Sequence, residues 1–231
     1  MKVLLFTLTG IAFLLVATAA EKKPATKPRV KAAPNAAFAK VDDVPGLPRV
    51  LLIGDSISIG YTLDVRKLLA DKANVHRIAE NGGPTKNGVV KLGKWLGDGK
   101  WDVIHFNWGL HDLRFMPDGK RQVEPAEYEQ NLRDLVKQMK ATGAKLVWCS
   151  TTPVPAGDLN PPRKVADVAL YNSIAARVMK DAGVVNDDLY TYAMPKIATI
   201  QRPLNVHYTD EGYAFLAQQV AASITAQLPG K

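Results

Sequence analysis

Cysteine, acidic charge and long apolar runs are all scarce in this 231-residue sequence. Cys149 is the only cysteine, so no internal disulfide can form and the fold must stand on its hydrophobic core. It lies inside the apolar run Leu146-Val147-Trp148-Cys149, where a buried structural thiol is expected rather than a reactive one. The four histidines contain no i, i+4 pair and the lone cysteine has no partner, so no metal site is expected. No glycine-rich phosphate loop is present, and no other cofactor signature stands out.

The acidic deficit is local. Residues 21–40 hold Lys22, Lys23, Lys27, Arg29, Lys31 and Lys40 against Glu21 alone, whereas from residue 41 onward basic and acidic residues nearly balance. A segment rich in Lys, Ala and Pro cannot bury enough apolar surface to fold. Residues 21–45 are therefore expected to be a basic linker, with weak attraction of its charge to anionic envelope polymers. The folded part has no localised basic groove, which argues against nucleic acid as a partner. The only long apolar run, Val3 to Val16, is too short for the roughly 20 residues of a membrane-spanning helix. With Lys2 before it and Ala17-Thr18-Ala19 after it, residues 1–20 read as a signal peptide. Export by the Sec pathway, to the periplasm or medium, is the expectation.

What remains, residues 46–231, alternates apolar β-rich runs with helical stretches. Strands are expected near 50–53, 75–78, 101–106, 146–149 and 184–185. Helices are expected near 59–71, 89–96, 127–139, 165–182 and 211–228, the last capped by Thr209. Such alternation specifies a single three-layer α/β/α domain on a parallel sheet, with functional residues along the carboxyl edge of the strands.

Three segments could bring chemistry to that edge. Gly54-Asp55-Ser56 stands where the first strand turns into the first helix, so an oxyanion forming there meets unpaired N–H groups and the positive end of the helix dipole. Serines at helix starts also serve simply as caps, so this motif alone does not establish a nucleophile. His207 precedes the last helix, in a loop able to return to the same edge and supply the base a serine hydroxyl needs. His111 follows the third strand in Gly109-Leu110-His111-Asp112, again on the productive edge, whereas His76 and His105 lie within strands and read as structural.

In order, these segments resemble the SGNH (GDSL-like lipase/esterase) hydrolases. Gly54-Asp55-Ser56-Ile57-Ser58 is similar to the nucleophile block, Asn81-Gly82-Gly83-Pro84-Thr85 to the glycine block, and His207 with Thr209-Asp210-Glu211-Gly212-Tyr213 to the terminal block. The resemblance spans about residues 48 to 225. It implies a flavodoxin-like five-stranded parallel sheet of order 2-1-3-4-5 and cofactor-free ester hydrolysis. Ser56 would be the nucleophile and His207 its base. The oxyanion hole would comprise Ser56 and Gly83 N–H groups, with Gly82 an alternative to Gly83. Asp55 and Asp112 match positions that orient loops.

Two departures stand out. The family's oxyanion-hole asparagine is His111, whose neutral imidazole can donate one hydrogen bond in its place. The family's acid, three residues before the histidine, is Leu204. His207 would then form a dyad with Ser56, held in the right tautomer by a backbone carbonyl or by Asn205, or an acid would come from elsewhere. Asp210 is near but better placed to serve the last helix. Arg114 to Glu124 and Gly157 to Arg163 should border the site, and Trp108, Arg114 and Tyr208 are candidate substrate contacts. The expected activity is that of an exported serine esterase removing O-acyl or O-acetyl groups from a carbohydrate or envelope polymer through an acyl-enzyme. A catalytically weakened polysaccharide-binding or scaffolding domain, or an O-acyltransferase, is the alternative.

Overall fold

The computed structural model describes residues 35–230; the expected signal peptide and most of the expected linker lie outside them. Its elements run β1 (Arg49–Ile53), α1 (Ser56–Leu68), β2 (Asn74–Arg77), α2 (Thr85–Leu96), β3 (Val103–Phe106) and α3 (Pro125–Lys140). They continue with β4 (Lys145–Cys149), α4 (Val165–Ala182), β5 (Val185–Asp187), α5 (Leu189–Ala193), α6 (Ile197–Ile200) and α7 (Asp210–Thr225). The five strands are all parallel in the order β2-β1-β3-β4-β5, which is the flavodoxin-like order.

β1 is a continuous apolar run because it is central and covered on both faces: Val50, Leu51, Leu52 and Ile53 are each at most 2% exposed. Right-handed crossovers then fix the layers. The β1-to-β2 connection runs one way across the sheet and the later ones run the other, so α1 lies on the opposite face from α2, α3 and α4. The contacts agree, since α1 packs on α7 while α3 packs on both α2 and α4. Helix α3 illustrates the local logic. Pro125 opens it, Glu127 sits near its positive end, and Lys137 and Lys140 near its negative end. Tyr128, Leu132, Leu135, Val136 and Met139 form its buried stripe.

Several boundaries differ from expectation. Helix α1 begins at Ser56 rather than near 59 because Asp55 caps it, its carboxylate accepting the Ile57 N–H at 2.9 Å. β3 begins at Val103, since Trp101 turns aside to donate to the Leu96 carbonyl at 2.9 Å, to meet His76 edge-on and to carry the Arg49 guanidinium over its ring. The expected linker ends earlier than residue 45. Ala37 is buried, and Arg66 donates to the Ala36 and Ala39 carbonyls. Asp43 pairs with Arg49 at 2.9 Å and with His76 at 2.5 Å. Residues 35–45 are thus docked on the folded domain. Thr209 caps α7 as expected, accepting the Gly212 N–H at 3.0 Å. Cys149 is buried, and burial pushes its thiol well above the ordinary range, so it stays protonated.

Candidate active site

The turn after β1 places Ser56 at the first position of α1, where the helix leaves its N–H without a helical acceptor. Arg77 fastens this turn from β2, one guanidinium nitrogen donating to both the Gly54 and Asp55 carbonyls at 3.0 Å. At the other end of the chain, residues 201–208 form a hairpin. Gln201 bridges Tyr208, the Arg202 N–H donates to the His207 carbonyl at 2.9 Å, and the Thr209 N–H donates to the Ile200 carbonyl at 2.9 Å. This hairpin carries His207 back to the carboxyl edge. Its Nε2 lies 2.8 Å from Ser56 Oγ.

The missing acid now has a structural explanation. Leu204 sits at the hairpin tip with φ 48° and is 62% exposed, whereas Asn205 folds back on the histidine. Asn205 Oδ1 accepts both the His207 backbone N–H at 3.0 Å and the Nδ1–H at 2.7 Å. An amide oxygen can only accept, so it fixes the Nδ1–H tautomer and leaves Nε2 as an acceptor facing the serine hydroxyl. Asn205 therefore takes the orienting position beside the imidazole without the charge of an acid. Burial, reinforced by the nearby Arg202 and Arg163 charges and opposed by Asp55, holds the His207 pKa below the ordinary histidine value.

His111 lines the same cavity, of about 270 Å³, together with Ser56, Asn81, Asn205 and His207. Its pKa is also lowered, by burial first and then by Arg114, Arg163 and His207, so it is neutral at pH 7 and keeps one ring N–H to donate. Gly109, at φ 155°, allows the chain to turn into this segment. A Cβ there would lie 2.0 Å from Thr151 Oγ1. Asp112 is fully buried behind the wall, its Oδ1 accepting from the Thr85 backbone N–H at 2.8 Å and from the Thr85 hydroxyl at 2.5 Å. Burial pushes its carboxyl up to about 7. It joins the third block to the start of α2, the loop-orienting part expected of it.

Other expectations need correction. The Gly83 N–H, expected in the oxyanion hole, donates to Asn81 Oδ1 at 2.9 Å, because φ 61° turns it back into its own loop. The Gly82 N–H is engaged as well, by the Gly54 carbonyl at 3.0 Å. One N–H donates one strong hydrogen bond, so neither is free for an oxyanion in this arrangement. Trp108 and Tyr208, expected as substrate contacts, are fully buried and line no part of the cavity. Trp108 packs on Phe106 and above Gly88, where a Cβ would come within 2.7 Å of its ring. Of the segment from Arg114 to Glu124, only Arg114 reaches the cavity. The remainder turns back through a Phe115–Arg121 bridge and is tied down by Arg121 to Asp167 at 2.8 and 3.0 Å. The segment from Gly157 to Arg163 borders the cavity as expected, through Leu159, Asn160, Pro161 and Arg163, whereas the sequence does not single out Asn81 from its block as a lining residue.

A buried cluster of His105, Cys149 and Asp187 is the one set of metal-type side chains brought together among the described residues. Asp187 is already bound there by His105, Gln219 and Ser223, each at 3.0 Å, which makes the cluster a core polar network.

Solved structures support the architecture. A lipase/acylhydrolase from Enterococcus faecalis is similar with a TM-score of 0.68 and 20% identity, covering 80% of this chain and 99% of that one. The acetyl xylan esterase AlAXEase gives 0.66 and 16%, covering 76% and 99%. The acetylxylan esterase Axe2 from Geobacillus stearothermophilus gives 0.63 and 19%, covering 77% and 94%. Esterase TesA of Pseudomonas aeruginosa is 28% identical over 109 residues, 42% of this chain, and the chain spans about half the length of that relative. The sequence pattern of the GDSL-like Lipase/Acylhydrolase family matches residues 52–215, and the chain belongs to that family.

Proposed function

We propose that this chain is an exported serine esterase that removes O-acyl groups, acetyl above all, from a carbohydrate or envelope polymer. The observation that carries the chemistry is the 2.8 Å contact between Ser56 Oγ and a His207 Nε2 whose other nitrogen is held by Asn205. In this reading Ser56 Oγ attacks the acyl carbonyl as its proton passes to Nε2. The tetrahedral oxyanion is held by the Ser56 N–H and the neutral His111 ring. Collapse breaks the ester C–O bond, and Nε2 returns the proton to the departing alcohol. Water, deprotonated by the same nitrogen, then cleaves the acyl-enzyme. Support for the substrate class comes from a compact, polar-lined cavity and from the acetyl xylan esterases among the similar folds. Export rests on the N-terminal apolar run, and association of the basic tail with anionic polymers on its charge alone.

Acetate release from acetylated xylo-oligosaccharides, set against long-chain acyl esters, tests the assignment. The expected result is turnover of the acetyl esters at least tenfold faster; faster cleavage of long chains would overturn the substrate class. His111→Ala is expected to lower kcat on the acetyl ester by on the order of 10², as for loss of one oxyanion donor. Near-normal kcat would remove His111 from the hole. The pH profile follows from His207, which must be neutral to accept a proton. Because its pKa is lowered, kcat/KM should fall only as pH drops through a midpoint below the ordinary value of 6.5. A midpoint above 6.5 contradicts the assignment.

One observation favours a second reading. Among the described residues no carboxylate touches His207, so a catalytically weakened domain that binds polysaccharide would have this geometry too. An acyltransferase would share the first half-reaction, and product analysis with a sugar acceptor present separates it from the hydrolase.

A further inference from the structure

Two arginines face the cavity with no acidic partner. Arg163 comes from the loop before α4, where its Nε donates to the Leu110 carbonyl at 2.8 Å and its Nη1 to the Pro161 carbonyl at 3.1 Å. Both acceptors are neutral, so the guanidinium is held in place without an ion pair, and the charges that act on it are Asp55, favourably, and Arg114, unfavourably. Arg114 enters from the segment after His111, and its Nε is buried without any hydrogen-bond partner. Neither side chain forms an ion pair among the described residues, although Arg49, Arg121, Arg133 and Arg177 all do. The two are close enough that Arg114 weakens the proton affinity of Arg163, and both weaken that of His111. Asp55, whose charge acts on Arg163 and on His111, is 2% exposed and occupied in capping α1.

The two guanidiniums repel one another beside the nucleophile, and Asp55 offsets part of that repulsion without pairing with either. An anion placed between them relieves that repulsion and gains charge-assisted hydrogen bonds in the planar fork that guanidinium offers to a carboxylate. We propose that Arg114 and Arg163 form a carboxylate-binding subsite, so that the cleft selects esters carrying a carboxylate next to the scissile bond. That carboxylate belongs either to a sugar acid in the alcohol half or to a dicarboxylic acyl group. The ester chemistry rests on the function proposed above; the carboxylate preference rests on the two guanidiniums.

Two substrate pairs separate these sources. One is a methyl O-acetyl-hexuronoside against its uronamide, the other the monosuccinate of a methyl hexoside against its succinamate. The intact chain is expected to prefer the charged member of one pair by about tenfold or more in kcat/KM, less so at high ionic strength. Arg114→Gln, which removes no hydrogen bond within the protein, should bring that ratio to about twofold or less, and Arg163→Gln should do the same. Binding of the four compounds to Ser56→Ala, measured by calorimetry, reads the same preference without turnover. A preference in binding with no hydrolysis would sink the esterase reading and leave the subsite standing. Hydrolysis with no charge preference in either pair, or a preference unchanged by Arg114→Gln, would overturn the subsite.

Discussion

Ser56→Ala is expected to lower kcat on an acetyl ester by on the order of 10⁴ to 10⁶ while leaving the fold intact. The size of the loss follows from the division of labour. His207 has nothing to deprotonate but water once Oγ is gone, and the donors at the start of α1 then stabilise an oxyanion that rarely forms. Ser56 is partly exposed and its side chain bonds only to His207, so its removal opens no core cavity and breaks no cap. The cap belongs to Asp55. His207→Ala should give a loss of similar size, and the double variant little more, because the two residues act on one proton. Losses that multiply would mean that they act separately. Thermal melting of each variant beside its kinetics distinguishes lost chemistry from lost structure.

The second large effect is expected at Asn205, and it runs in both directions. Asn205→Leu removes the acceptor of the His207 Nδ1–H and should lower kcat by on the order of 10³. The ring is then free to rotate and to present a proton, rather than a lone pair, to Ser56. Asn205→Asp keeps an oxygen at the same reach and adds charge. A charge-assisted hydrogen bond is roughly twice as strong as a neutral one, so the imidazolium formed during attack is better stabilised and kcat should rise by about tenfold. The same change should move the acid limb of the pH profile upward, because a carboxylate beside His207 favours its protonated form. A gain in kcat without that shift would contradict the explanation. No gain at all would mean that the amide already supplies everything the position can give.

Much of this arrangement is legible in the sequence, and the failures have physical causes. β1, α1 and the Gly54-Asp55-Ser56 turn are readable because they are local: an apolar run, a tight turn and a cap lie within one short stretch. His207 is readable because the late loop before the last helix can return to the carboxyl edge where Ser56 sits. Asn205 could be named as a partner, but choosing it over a backbone carbonyl required knowing that Leu204 occupies the tip of a hairpin. That hairpin is tied to α6 by the Gln201 and Thr209 N–H groups, and neither α6 nor the preceding α5 is visible in the sequence. Helices of five and four residues fall below the length at which a pattern carries information, and they persist here because Leu189, Ala193 and Ile200 are buried.

Trp108 and Tyr208 mislead for a related reason. Tyr208 adjoins His207 and Trp108 stands three residues before His111, but residues close in sequence point in different directions, and both rings turn into the core. Gly83 misleads because the resemblance fixes the position of the glycine and not the direction of its N–H, which Asn81 captures. Arg163 reaches the cavity from a loop more than fifty residues away from the Leu110 carbonyl it binds. Only the folded chain brings the two together.

On this mechanism Ser56 is a nucleophile activated by His207. Reaction of the whole protein with a fluorophosphonate, followed by mass spectrometry of the labelled peptide, tests it most directly. Stoichiometric modification is predicted on Ser56, accelerating with pH through a midpoint below 6.5 and absent in Ser56→Ala and in His207→Ala. A protein that remains unlabelled above that midpoint, or a label on any other residue, would contradict it.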